Sequence, residues 1–252
     1  MGPSFNNAEA VEQVAVGQPF PCTQGPPFPN SLPLRPIREK GIRTWPKSDI
    51  IFRRWHARLV GHGSTKASFD HARISDLLEI SRQPPIFDST LFPIALSFWS
   101  SKYNTFVFPL GPMSITLRDI GALINLPPLG DTIFPDILIF GVAPKFDKKF
   151  TESYSNLQSC YNHSNVEPSH VERVAFLQIW LCKYILCVFS MKLSMSYLPI
   201  AHELARGRPL NVCSFFLAAL YRGMTSLQFQ LKNDASPIGS EPLWFTQLWL
   251  RA

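Results

Sequence analysis

The chain has 252 residues, 46% hydrophobic and 17% charged, a balance that supports a sizeable core and excludes disorder throughout. Its net charge of +6 arises from 24 basic and 18 acidic residues. The five cysteines, Cys22, Cys160, Cys182, Cys187 and Cys213, are odd in number and irregularly spaced, which points to a reduced compartment rather than a disulfide framework.

Nine of the 23 prolines fall in the first 46 residues, so residues 1–48 are expected to form a flexible, Pro-rich basic leader. The start of the chain shows neither the basic region nor the apolar run of a secretory signal. Between Arg35 and Arg58 stand eight basic residues against Glu39 and Asp49, which is the whole of the net charge. Such a segment can meet nucleic acid or an acidic partner, with Arg53, Arg54 and Arg58 as the candidate contacts; the plainer reading is a solvated, positively charged connector.

From residue 49 the texture turns helical. A first helix is expected from about Ser48, with Ile50, Ile51, Trp55, Leu59 and Val60 on its apolar face and Gly61-His62-Gly63 ending it. A second is expected over 69–80, with Ile74, Leu77 and Leu78 inward. Asp88 or Ser89 caps a third, with Leu91, Ile94, Ala95 and Phe98 inward. Thr105 to Phe108 is β-branched or aromatic and reads as a strand; Gly111-Pro112 reads as its turn and Met113 to Thr116 as the returning strand. Thr116 and Asp119 then form a short capping box for a helix with Ile120, Leu123 and Ile124 on one face, closed by Asn125 and the prolines after it.

Residues 128–169 are less regular, with aromatic islands at Phe134, Phe140, Phe146 and Phe150, and the polar stretch Ser153 to Val166 reads as an exposed loop. Val171 to Ser190 is strongly apolar, but Lys183 interrupts it, and Glu172, Lys183 and Ser190 fall on nearly one side. That pattern predicts a core helix with a narrow wet stripe, not a membrane span. A short helix is expected over 197–205, a longer one capped by Asn211 over 212–231, and a last one over 243–251. The apolar ending predicts a C-terminally truncated domain over 49–252 or a partner surface.

The chemistry-bearing residues assemble into no recognised site. Lys183 is the single apolar-flanked candidate for a pyridoxal Schiff base, but no phosphate-binding turn accompanies it, and a snorkelling helix lysine fits better. His202-Glu203 opens like a zinc-protease helix, yet Arg206 stands where the second histidine is needed. Cys160, His163, His170 and Cys182 match no common zinc spacing, and Gly61-His62-Gly63-Ser64 is no nucleophile elbow. No catalytic, cofactor-binding or metal residue is therefore assigned.

Several stretches together resemble the plant mobile domain family, often labelled aminotransferase-like. They are Trp99, Asn104 to Phe108, Gly111, Ser114 to Ile120 and Leu126-Pro127 with Gly130, then Trp180 to Ile185, Tyr197 to Pro199, Leu204 to Gly207, Ala218 to Gly223 and Pro242 to Trp249. Pro112 and Arg118 depart from the glutamates usual in that family, and Lys102-Tyr103 from its Glu-Thr. The resemblance implies a nuclear, non-enzymatic interaction module of transposon origin. Its relatives are linked to transposon and gene silencing, chromatin organisation and development, some beside a phosphatase-like partner, and it supplies no catalytic residues. The expected architecture is α+β and predominantly helical, a multi-helix domain with a small β-hairpin. Alternatives are a pyridoxal-phosphate-dependent or hydrolytic enzyme, and a degenerate transposon fragment without function.

Overall fold

Asp49 starts the fold: its carboxylate accepts hydrogen bonds from the Ile51 and Phe52 backbone N–H groups at 2.9 and 3.3 Å. The helix it caps, α1 (Ile50–Gly61), buries Phe52, Trp55, His56 and Leu59. Those four lie within about 100° of arc at 3.6 residues per turn, whereas Ile50 lies on the opposite side. Ile50 and Ile51 accordingly face outward, and Phe52 takes the inward place expected of them, stacked on Phe176 with centroids 4.9 Å apart. The computed structural model describes residues 49–126, 128–131, 154–162, 166–187, 193–233, 239 and 241–252. The leader expected over 1–48 lies outside them.

His62 is extended for one residue, and α2 (Gly63–His71) resumes at once, so Gly61-His62-Gly63 is a corner between helices rather than a loop. The single helix expected over 69–80 is broken. Arg73 sits in the left-handed region at φ 59°, and the Ile74 N–H reaches back to the Phe69 carbonyl at 3.1 Å, a Schellman closure. Helix α3 (Ser75–Ile80) follows, and Ile74, Leu77 and Leu78 are buried as expected. Asp88 accepts from the Thr90 and Leu91 N–H groups, both at 2.9 Å, ahead of α4 (Leu91–Ser97). That helix buries Phe92, Pro93, Ala95 and Leu96, so Leu91 and Ile94 are displaced from the predicted inner face.

Three short strands follow, not two: β1 (Trp99–Ser100), β2 (Thr105–Phe108) and β3 (Gly111–Met113), antiparallel in the order β1-β2-β3. Phe106 pairs with Trp99 on one side and Met113 on the other. The β2–β3 turn is Pro109-Leu110, two residues earlier than expected, because Gly111 at φ 132° already opens the returning strand. Helix α5 (Leu117–Ile124) carries the capping box in full. The Asp119 N–H donates to Thr116 Oγ1 at 3.3 Å, and the Thr116 N–H donates to Asp119 Oδ2 at 2.7 Å. Asn125 closes it at φ 49°. Thr116→Ala is expected to lower stability by about 0.5–2 kcal/mol, read as a shift of the urea midpoint at unchanged slope.

After the short α6 (Tyr154–Gln158), α7 (His170–Trp180) starts at Ser169, whose hydroxyl accepts from the Glu172 N–H at 3.1 Å. It runs into a π-turn over Leu181–Ile185, so the apolar run is not one uniform helix. A 3-10 turn (Met195–Tyr197) leads to α8 (Leu198–Ala205), which packs on α7 as the most extensive helix pair among the described residues. Asn211 caps α9 (Val212–Lys232) by accepting from the Ser214 N–H at 3.0 Å, and α10 (Trp244–Trp249) is the last described helix. Trp99 and Phe106 meet edge-on at 5.1 Å, between Tyr221 of α9 and Trp249 of α10. The small sheet is thus covered by helices, as a marginal hairpin requires. Fold class and helical predominance agree with the sequence reading. No described helix is long and apolar enough to cross a membrane.

Candidate functional site

The face of α1 opposite its buried stripe presents Arg53 and Arg54 to solvent, and neither has an acidic partner among the described residues. Arg58 is different. It turns into the groove between α1 and α7, where Nε donates to Glu172 Oε1 at 3.0 Å, and Nη2 donates to Oε2 at 3.3 Å and to the Val166 carbonyl at 2.9 Å. Both side chains are nearly dry, 9% and 3% exposed. The structure therefore separates Arg58 from the two arginines grouped with it by sequence, and gives it a fork-to-fork structural contact. The rest of the basic segment, 35–48, lies outside the described residues.

The stripe on the α7 segment is dry at Glu172 and wet at Lys183, whose side chain is 28% exposed. Glu172 is buried against Arg58, and Lys183 Nζ lies 2.7 Å from Asp49 Oδ2; Ser190 lies outside the described residues. Burial works against the charge of Asp49, but Lys183 and the Phe52 and Ile51 N–H groups outweigh it and hold the carboxyl below its usual range. One carboxylate thus caps α1 and anchors the only lysine considered for Schiff-base chemistry. Two ties of opposite polarity, Arg58 to Glu172 and Asp49 to Lys183, fix α1 along α7.

The remaining candidates are equally engaged. Glu203 lies 3.3 Å from His202 Nδ1, from Arg206 Nη1 and from Arg208 Nη1, so it is held by two arginines and an imidazole rather than standing as a general base beside a metal. Ser64 donates its hydroxyl to Glu167. Burial raises the Cys182 and Cys213 thiols to about 11 and drives Cys187 higher still, so at neutral pH they are packing groups rather than nucleophiles. His163 of the weak zinc set lies outside the described residues, and no group of three metal-ligating side chains occurs among those described.

His56 is 1% exposed, both its ring nitrogens lack hydrogen-bond partners, and Glu79 stands 3.8 Å away. Burial pushes its pKa below the ordinary 6.5, against the pull of Glu79 and with a push from Arg82. The unfolded chain then binds more protons than the folded one between the lowered value and 6.5. Stability is complete above about pH 6.5 and falls as the pH drops below it. We expect the decline in urea midpoint from pH 7 to pH 5 to shrink in His56→Leu. A residual slope should remain from His170, whose pKa is also depressed.

Sequence reasoning missed the dual-anchor role of Asp49, the burial of Glu172 and a backbone junction at Gly130 and Asp131. Asp131 bridges Leu210 in parallel fashion: its N–H donates to the Pro209 carbonyl at 2.7 Å, and its own carbonyl accepts from the Asn211 N–H at 2.8 Å. The signal was present in Leu126-Pro127-Pro128-Leu129-Gly130, read only as a helix stop. The model of the plant mobile domain family matches residues 73–251. No curated protein and no solved structure matches the chain. With the match running from the Schellman turn at Arg73 to the end of the last helix, through the covered sheet and the capped α5, the chain belongs to the plant mobile domain family, a transposon-related group.

Proposed function

We propose that this protein is a non-enzymatic nuclear interaction module, acting in the silencing and developmental roles attached to its family through surface recognition rather than catalysis. The observation that carries the reading is the outer face of α1. Arg53 and Arg54 stand there exposed and without carboxylate partners among the described residues, while Lys183, Glu203 and Glu172 are tied up in structural ion pairs. Two unpaired guanidiniums on one helix suit a phosphate backbone or an acidic protein segment. A protein partner, including a phosphatase-like nuclear protein, engages the same face in this reading.

The test is binding of the full chain to a short DNA duplex across a salt series. Log affinity should fall linearly with log salt, and Arg53→Glu/Arg54→Glu should weaken binding at least tenfold and flatten that slope by roughly 2. Arg58→Lys, which keeps the charge in the buried groove, should leave the slope unchanged. Absent or salt-independent binding would remove the nucleic-acid part and leave the acidic protein partner, tested by capture from plant nuclear extract with the same charge-reversed pair as control.

A further inference from the structure

The junction of α7 and α8 gathers more positive charge than its carboxylates can answer. His170 and His202 meet edge-on, with ring centroids 4.8 Å apart. Arg173 stands one turn after His170 on α7, and Arg206, the C-cap of α8, one turn after His202. The acidic side of the cluster is already committed: Glu203 serves His202, Arg206 and Arg208, and Asp131 Oδ2 serves Arg208 at 2.7 Å. Two nitrogens of the cluster, His170 Nε2 and Arg173 Nε, are buried with no hydrogen-bond partner among the described residues. A dry guanidinium N–H facing no acceptor is costly, and here it shares one helical turn with an unpartnered imidazole nitrogen.

We propose that this junction binds a phosphate-class oxyanion, held by His170 and Arg173 of α7 with Arg206 of α8 at its outer edge. A tetrahedral oxyanion offers several acceptor oxygens, and would satisfy the imidazole and the guanidinium together. Three fixed cations, Arg173, Arg206 and Arg208, face two fixed anions, Glu203 and Asp131, so one negative charge balances the site before either histidine is protonated. In the free protein burial, followed by His202, Arg173 and Arg206, holds the His170 pKa down, with Glu203 alone pulling it up. An anion reverses that balance, so binding favours protonated His170 and strengthens toward acid.

The experiment follows the His170 ring resonance of the full chain by NMR while sulfate or orthophosphate is added at constant ionic strength in chloride. Sulfate keeps its charge between pH 6 and 8, which isolates the contribution of the histidine. The expected result is a saturable shift, with sulfate binding about tenfold tighter at pH 6 than at pH 8. Arg173→Gln should abolish the shift. Arg206→Gln, at a 60% exposed side chain whose loss cannot unfold the domain, should weaken it severalfold. Arg53→Glu/Arg54→Glu should leave it unchanged, which separates this site from the α1 surface. An oligonucleotide with and without a 5′-phosphate identifies the source: a shift with the phosphorylated form alone marks a terminal phosphate, and an equal shift with both marks the phosphodiester chain. A shift that is linear in anion, matched by chloride, or unaltered in Arg206→Gln and Arg173→Gln would overturn the proposal.

Discussion

Gly130→Ala is expected to cost about 4 kcal/mol and to move the urea midpoint further than any other glycine substitution in the described residues. Gly130 has φ 153°, a region that L side chains rarely enter. A methyl group there would stand 2.7 Å from the Leu210 carbonyl carbon, 2.7 Å from the Pro209 oxygen and 2.9 Å from the Asn211 nitrogen. All three are backbone atoms, so no rotamer change relieves the contact. The segment would have to withdraw, and with it would go the two hydrogen bonds joining Asp131 to Pro209 and Asn211, and the Asp131–Arg208 pair. Asn211 caps the longest described helix, so the damage reaches the start of α9. Gly61→Ala is the control. No atom lies within 4 Å of a methyl there, and alanine suits the end of α1 better, so stability should hold or rise by up to about 1 kcal/mol. Equal midpoints for the two variants would contradict the role given to Gly130.

What the sequence reveals of this fold is what is encoded within four residues. The Thr116–Asp119 box, the Asn211 cap and the Asn125 stop are all local, and all three stand as read. The Arg73 break is equally local but carries no signal. The left-handed position of a Schellman turn is usually glycine, and arginine there disguises the end of α2 as helix interior. The first turn of α1 misleads for another reason. Isoleucine at 50 and 51 looks like a core stripe, and only the packing of Phe52 on Phe176 and Tyr184 decides which arc is inward. Strand β1 is two residues long, too short for any periodicity. It exists because Gln228 of α9 donates its side-chain amide to the Trp99 carbonyl and covers the outer edge of the sheet.

The candidate site was legible only as charge. A run of arginines announces its sign but not its partners. Arg54 and Arg58 are four residues apart and share a face by spacing, yet a carboxylate 114 residues away draws Arg58 inward and leaves Arg54 in solvent. Likewise Lys183 stands out by its apolar flanks, whereas its partner Asp49 reads in sequence only as one of two acids in a basic segment. The α7–α8 cluster joins His170 and Arg173 to His202 and Arg206, which lie too far apart in the chain for any local spacing to register.

Glu172→Ala is expected to cost about 3–5 kcal/mol, because it removes the carboxylate that balances the Arg58 guanidinium in a nearly dry groove. Glu172→Gln keeps one acceptor oxygen and should lose roughly half as much. Replacing both partners, Arg58→Met with Glu172→Leu, removes the desolvation problem together with the attraction, and should return stability to within about 1 kcal/mol of the parent. That recovery is the decisive measurement, because a merely misfolded Glu172 variant would not be rescued by a second substitution. Salt should hardly affect the pair, whereas the exposed Arg206–Glu203 contact should contribute under about 1 kcal/mol and fade as salt is raised. The loss also has a direction in space. The family match starts at Arg73, so α1 and the whole of α2 lie ahead of the matched residues, and α1 is held to α7 and its π-turn by the Arg58–Glu172 and Asp49–Lys183 ties and the aromatic stack on Phe52. Cutting the stronger tie should free α1 before the rest unfolds. Limited proteolysis of Glu172→Ala should therefore cut within residues 49–72 under conditions where the parent resists, and the double variant should resist again.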